Sequence, residues 1–251
     1  MKRIILPLTL FVCVSIFSSA QKIGIKAGGN FTNVVGKSGT GDKLSGHKYV
    51  PGFHVGILGE IDLAEVLSLQ LEAVYSRKGF RDKSSKTTTI SSGSVTTETD
   101  VLYTISYLDV PLLFNIHFGQ MGSYIGLGPQ VSFLMGAKYD GHFINTTTNT
   151  STTPPSSVSV DVPFAGNDKT GYSKTDFGVV IGTGSKWDSG IEYCLRAGYG
   201  LANVVDQSAS TSNEKWNNLV FSVSIGYTFG TGGGGQGDRY GRKYNSKSKH
   251  H

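Results

Sequence analysis

Leu219-Val220-Phe221-Ser222-Val223-Ser224-Ile225-Gly226-Tyr227-Thr228-Phe229 alternates between large apolar and small residues over most of its length. Successive side chains of a strand point to opposite faces. Leu219, Phe221, Val223, Ile225, Tyr227 and Phe229 therefore share a greasy face, and Ser222, Ser224, Gly226 and Thr228 fill most of the other.

The same period recurs upstream, about eight times in all, with very few helical stretches. Ile23, Ile25, Ala27 and Phe31 alternate with Lys22, Gly24, Lys26, Gly28 and Asn30. Phe53, Val55, Ile57 and Ile61 alternate with His54, Gly56, Glu60 and Asp62, and Leu67, Leu69, Leu71, Ala73 and Tyr75 with Ser68, Gln70, Glu72 and Ser76. Ile125, Leu127, Val131 and Phe133 repeat the pattern, as do Phe177, Val179 and Ile181, and Ile191, Tyr193, Leu195, Ala197 and Tyr199. One segment is less regular. Tyr103, Ile105 and Tyr107 alternate with Thr104 and Ser106, but the apolar phase past Asp109 moves to Val110, Leu112, Phe114 and Ile116. A bulge at Pro111, which cannot donate to a central ladder, accounts for both features.

Connection lengths alternate as well. Long ones fall near 32–51, 80–101, 136–175 and 201–217, and short ones near 62–66, 118–122 and 186–189. The long ones are rich in Ser, Thr, Gly and Asn and read as mobile. Counting up and down, every long connection falls on one side and every short turn on the other, the asymmetry of an outer-membrane barrel with long outer loops and short periplasmic turns. A soluble lipocalin-type barrel also alternates, with its greasy face inward. Two further features favour the membrane. The polar face carries Lys26, His54, Glu60, Glu72, Glu192 and Arg196, which suits a polar lumen. Phe31, Phe53, Tyr75, Tyr103, Tyr199, Tyr227 and Phe229 cluster near strand ends, as in an aromatic girdle. The expected fold is an all-β, eight-stranded antiparallel up-and-down transmembrane β-barrel over 21–230.

Residues 1–20 read as an export signal, with Lys2 and Arg3, an apolar run from Ile4 to Phe17, and small residues ending in Ala20. The chain after it carries one cysteine, Cys194, which excludes a multi-cysteine metal site. The formal charge of +5 is uneven. Residues 21–230 hold 16 basic and 17 acidic side chains, and the excess sits in a Gly-rich basic tail, 231–251. A nucleic-acid partner is not expected, because a basic footprint belongs across the folded domain.

The opening Lys22-Ile23-Gly24-Ile25-Lys26-Ala27-Gly28, the segment Tyr107-Leu108-Asp109-Val110-Pro111-Leu112-Leu113, then Tyr124-Ile125-Gly126-Leu127-Gly128-Pro129, and the closing Gly226-Tyr227-Thr228-Phe229 resemble the PorT-like outer-membrane β-barrel family of Gram-negative bacteria. The resemblance covers about 22–230 and implies an eight-stranded barrel in the outer membrane, in a porin family one of whose members acts in protein secretion. The long third outer loop and the tail depart from the pattern.

Lys26, Glu60, Glu72, Glu192 and Arg196 are the candidate lumen charges. They form either a selectivity lining or an internal ion-pair network, and eight strands leave an interior that side chains can fill. His54 and His117 are the histidines expected in strands, and neither has a second ligand at metal spacing. His47, Asp100 and His142, expected in outer loops, are the residues from which a hydrolase site would be built. Gly182-Thr183-Gly184-Ser185-Lys186 lacks the spacing of a phosphate loop and reads as a short turn. No cofactor is expected. The functional expectation is a non-enzymatic structural or interaction barrel, accessory to protein secretion, with a narrow solute channel as the alternative. Its expected partners are outer-membrane lipid and, through the tail, a periplasmic protein or cell-wall polymer.

Overall fold

The computed structural model describes residues 22–37, 47–119, 122–149, 151, 156–167, 169, 171–187, 189–205 and 215–230. The expected signal segment and tail lie outside them. Ten strands follow one another: β1 (Lys22–Lys37), β2 (His47–Lys48), β3 (Val50–Ala64), β4 (Leu67–Ile90), β5 (Gly93–Phe118), β6 (Ser123–Asn149), β7 (Ser156–Asn167), β8 (Thr175–Lys186), β9 (Ile191–Gly200) and β10 (Lys215–Gly230).

Eight of them close a barrel. Antiparallel ladders run β4-β3-β1-β10-β9-β8-β6-β5, and a β4–β5 ladder completes the circle. The two others are additions, β2 on β4 and β7 on β6. Closure gives every spanning strand two partners, the condition for placing backbone in lipid.

The burial pattern decides which face is outside. On β1, Ile23, Ile25 and Phe31 are 47%, 53% and 59% exposed, whereas Lys26, Asn30 and Thr32 are 5%, 2% and 2% exposed. A soluble barrel would show the reverse. Outward apolar residues run over nine positions on β1 (23–31), β3 (53–61) and β10 (221–229), the length of a tilted spanning strand.

At one end the turns are short. Gly119 and Gly122 take φ of 71° and 62°, the left-handed region that a β-carbon disfavours, and so let β5 reverse into β6. The opposite end differs from expectation. The Ser/Thr-rich stretches near 80–101 and 136–175 are mostly strand. Register continues unbroken from Ser76↔Tyr107 to Ile90↔Gly93, and Thr87 and Thr96 are hydrogen-bonded through their hydroxyls at 3.0 Å. Threonine is β-branched and fits a pleated surface. The outer parts of β4, β5 and β6, with β7, thus form a four-stranded blade beyond the barrel.

The expected bulge at Pro111 is also corrected. Pro111 pairs in register with Gln130, and the shift lies between Ser106↔Gly136 and Tyr107↔Leu134. Met135 on β6 is the extra residue. The alternation of β5 is continuous, and what changes at Asp109 is chemistry. Below it the inward residues include polar Asn115 and His117 beside Pro111 and Leu113, and above it Tyr107 and Ile105 point inward and are buried.

Candidate functional site

Lys26, Glu60, Glu72, Glu192 and Arg196 all project into the lumen. Lys26, Glu60, Glu72 and Glu192 are at most 5% exposed, and the Arg196 side chain is 9% exposed. At mid-height Glu72 on β4 is the hub. Arg196 on β9 donates to both of its oxygens at 2.7 and 2.8 Å, Lys26 on β1 donates at 3.1 Å, and Gln70 donates at 2.6 Å. Asn115 in turn donates to Gln70 at 2.8 Å. Nearer the short turns Lys186 pairs with Glu60, Lys22 lies 3.0 Å from Asp62 and 3.7 Å from Glu60, and Tyr124 donates to Glu192. Higher up, His54 bridges Asn30 and Ser224, each at 2.7 Å, Lys78 reaches Asp109 at 2.8 Å, and Asn218 donates to Asp176 at 2.8 Å.

Above these polar tiers lies an apolar cap. Val34, Phe80, Ile105, Tyr107, Ala137 and Val204 are buried together, with Tyr103, Leu134, Tyr172 and Trp216 packed against them. Phe80 stacks on Tyr103 with centroids 4.6 Å apart and meets Trp216 edge-on at 5.3 Å. Tyr103 therefore belongs to the interior and not to the aromatic girdle. Lys78 sits over the Tyr107 ring at 4.9 Å, joining the polar tiers to the cap. A polar cavity of about 70 Å³ remains among the polar tiers, lined by residues such as Asn30, His54, Glu72, Asp109 and Asp176, room for a small number of waters.

Five cations thus face six carboxyls in the described lumen. Each cation (Lys22, Lys26, Lys78, Lys186 and Arg196) has a carboxylate oxygen within 4.0 Å. Sequence reading named five of these eleven as candidate lumen charges and left out Lys22, Asp62, Lys78, Asp109, Asp176 and Lys186, although the parity signal was available. Lys78 shares the face of Glu72 and Ser76, and Lys186 that of Asp176. The segment 182–186, read as a turn, is the end of β8.

The residues suggested for a hydrolase do not converge. His47 lies in β2 and packs on Phe80 and Trp216, whereas His142, in β6, faces Asp100 across a ladder. The Asp100 carboxylate is taken by Arg81 at 2.5 Å and Lys83 at 2.7 Å. Among the described residues no group of three or more His, Cys, Asp or Glu is arranged to hold a metal ion. Cys194 is buried, with Lys26 Nζ 3.9 Å from its Sγ.

Solved structures similar to the chain include Ail, the attachment invasion locus protein of Yersinia pestis (13% identity over 84% of this chain and 99% of that chain, TM-score 0.39). Neisserial surface protein A is similar at 12% identity, over 82% of this chain and 97% of that one, with a TM-score of 0.38. So is the outer membrane protein OprG from Pseudomonas aeruginosa, at 12% identity, 84% and 97% coverage and a TM-score of 0.38. No curated relative matches the chain. The family model for the outer membrane protein beta-barrel domain matches residues 18–206, three-quarters of the sequence, in keeping with a closed antiparallel barrel that is apolar outside and polar within. The chain belongs to this outer membrane protein beta-barrel family and resides in the bacterial outer membrane.

Proposed function

We propose that this protein is a closed, non-enzymatic barrel that acts as a structural and interaction element, with the blade of β4, β5, β6 and β7 as its outward platform. The observation that carries this reading is the mutual pairing of all five described lumen cations beneath an apolar cap. A conduction path needs a continuous line of charges free to exchange with a passing ion, and here five of the six lumen carboxyls hold a cation, with Asp176, on Asn218, the exception among the described residues. The blade adds exposed strand surface, including Val158, Val160 and Val162, at 65%, 54% and 47% exposure.

The PorT-like resemblance of the sequence supports a role as an accessory of protein secretion. The tail, with Arg239, Tyr240, Arg242, Lys243 and Tyr244, is the segment of suitable chemistry to meet a periplasmic protein or cell-wall polymer. Single-channel recording of the refolded protein in a planar bilayer tests closure. A silent barrel is expected, and reproducible discrete steps would replace this reading with a narrow solute channel running through the polar cavity. Comparing the proteins secreted by a deletion strain and its parent tests the secretion role, and an unchanged profile would remove it.

A further inference from the structure

The outer wall carries a groove of about 410 Å³ that the lumen does not explain. Its floor is made by residues that leave room. Gly136 is open, with nothing within 4 Å of an added β-carbon, and Thr104 and Ser106 are small. Its lower rim is aromatic. Phe53 is 46% and Tyr75 39% exposed, and the Tyr75 hydroxyl is held on Ser106 at 3.0 Å. Its upper rim is basic: Arg77, Lys138 and Lys169 are exposed and line it.

The charges reach this face for structural reasons. Arg77 follows Tyr75 on the outward side of β4 and is the first charge met on leaving that strand's apolar band. Lys138 owes its direction to the extra residue Met135. The shift between Ser106↔Gly136 and Tyr107↔Leu134 reverses the phase of β6, so Ala137 enters the cap and Lys138, opposite Thr104, turns out. Among the described residues no carboxylate lies within 4.0 Å of Arg77, Lys138 or Lys169. Arg81 and Lys83, farther from the membrane, share the carboxylate of Asp100. Arg77 has a long contact to Thr104, at 3.5 Å.

Three cations without a carboxylate partner among the described residues, around a hollow, directly above a lipid-facing aromatic rim, point to the ligand by charge and by depth. The outer leaflet of this membrane presents phosphorylated glycolipid at that level. We infer that the groove is a binding site for the phosphorylated headgroup of an outer-leaflet lipid A, with Arg77, Lys138 and Lys169 contacting phosphate and Phe53 and Tyr75 seating the adjoining sugar and acyl roots. A basic cluster at the headgroup level attracts anionic lipid.

The test uses the full chain extracted from outer membrane in mild detergent, with bound lipid counted by native mass spectrometry. Three probes are added: phosphorylated lipid A, lipid A stripped of phosphate, and inorganic phosphate. Binding of the first alone is expected. The triple variant Arg77→Ala, Lys138→Ala and Lys169→Ala should lose affinity about tenfold or more, whereas Arg81→Ala with Lys83→Ala should not. Heat-modifiable gel mobility checks folding. Should the triple variant fail to fold, Lys138→Gln alone should weaken binding several-fold and Lys138→Arg should retain it. Equal binding by the variants, or by dephosphorylated lipid A, would overturn the inference. Competition by millimolar inorganic phosphate would overturn it in favour of a free-anion site.

Discussion

Replacing Glu72 by Gln keeps the shape of the lumen hub and removes its charge, leaving Lys26 and Arg196 facing a neutral amide. The side chain is 1% exposed, with the cations at 3.1 and 2.7 Å. At 3.1 Å a unit-charge pair is worth about 5 kcal/mol at an effective dielectric of 20, and about 1.3 kcal/mol in bulk water. Allowing for the desolvation that the lost carboxylate no longer requires, removing one member of a buried ionic group costs about 3–5 kcal/mol. Urea unfolding in lipid vesicles, followed by tryptophan fluorescence and gel mobility, should show that loss as a lower midpoint with an unchanged slope. Adding Arg196→Gln should restore part of it, with a coupling energy of about 1–3 kcal/mol. A loss under about 1 kcal/mol without coupling would refute the reasoning, because the charges would then stand in bulk-like water and the lumen would be open.

Three other perturbations test separate parts of the structure. Phe80→Ala empties the centre of the cap, where Phe80 is fully buried, and should cost about 3–5 kcal/mol in the same unfolding assay; a negligible loss would mean that the cap is not packed. Ile225→Arg, on the lipid face of β10, should cost about 2–4 kcal/mol, whereas Val158→Arg on the blade should change stability by no more than about 0.5 kcal/mol, and equal effects would misplace the membrane. The Arg81 hydrogen bond holds the Asp100 carboxyl down to about 2, so its contribution to the blade is fully present above the ordinary carboxylate value and is lost as pH falls through about 2. Spin labels at the paired positions Ser84 and Thr99 should keep their separation from pH 7 to 5 and spread only below about pH 4; a transition near pH 6, or one that survives Asp100→Asn, would contradict the assignment.

The sequence by itself determined the eight strands that close the barrel and, for most of them, which face turns outward; it did not give β2, β7 or the outer parts of β4, β5 and β6. The reason is local: a period of two is written residue by residue, and closure in lipid follows from the need to pair every backbone group. The same parity placed Lys26, Glu60, Glu72, Glu192 and Arg196 on one face. It failed where composition masked it, as with the Ser/Thr-rich ladder of β4 and β5, where polar residues on both faces imitate a loop, and with Tyr103, whose aromatic ring looks alike in a girdle and in a cap. Only the tertiary structure decided which charges meet. Glu72 and Arg196 stand 124 positions apart and come together because register and closure bring β4 and β9 to face one another across the lumen. One residue, Met135, shows the limit most clearly. Its bulge sends Ala137 inward and Lys138 outward, and nothing in local alternation marks it, because a bulge is fixed by the strand it pairs with.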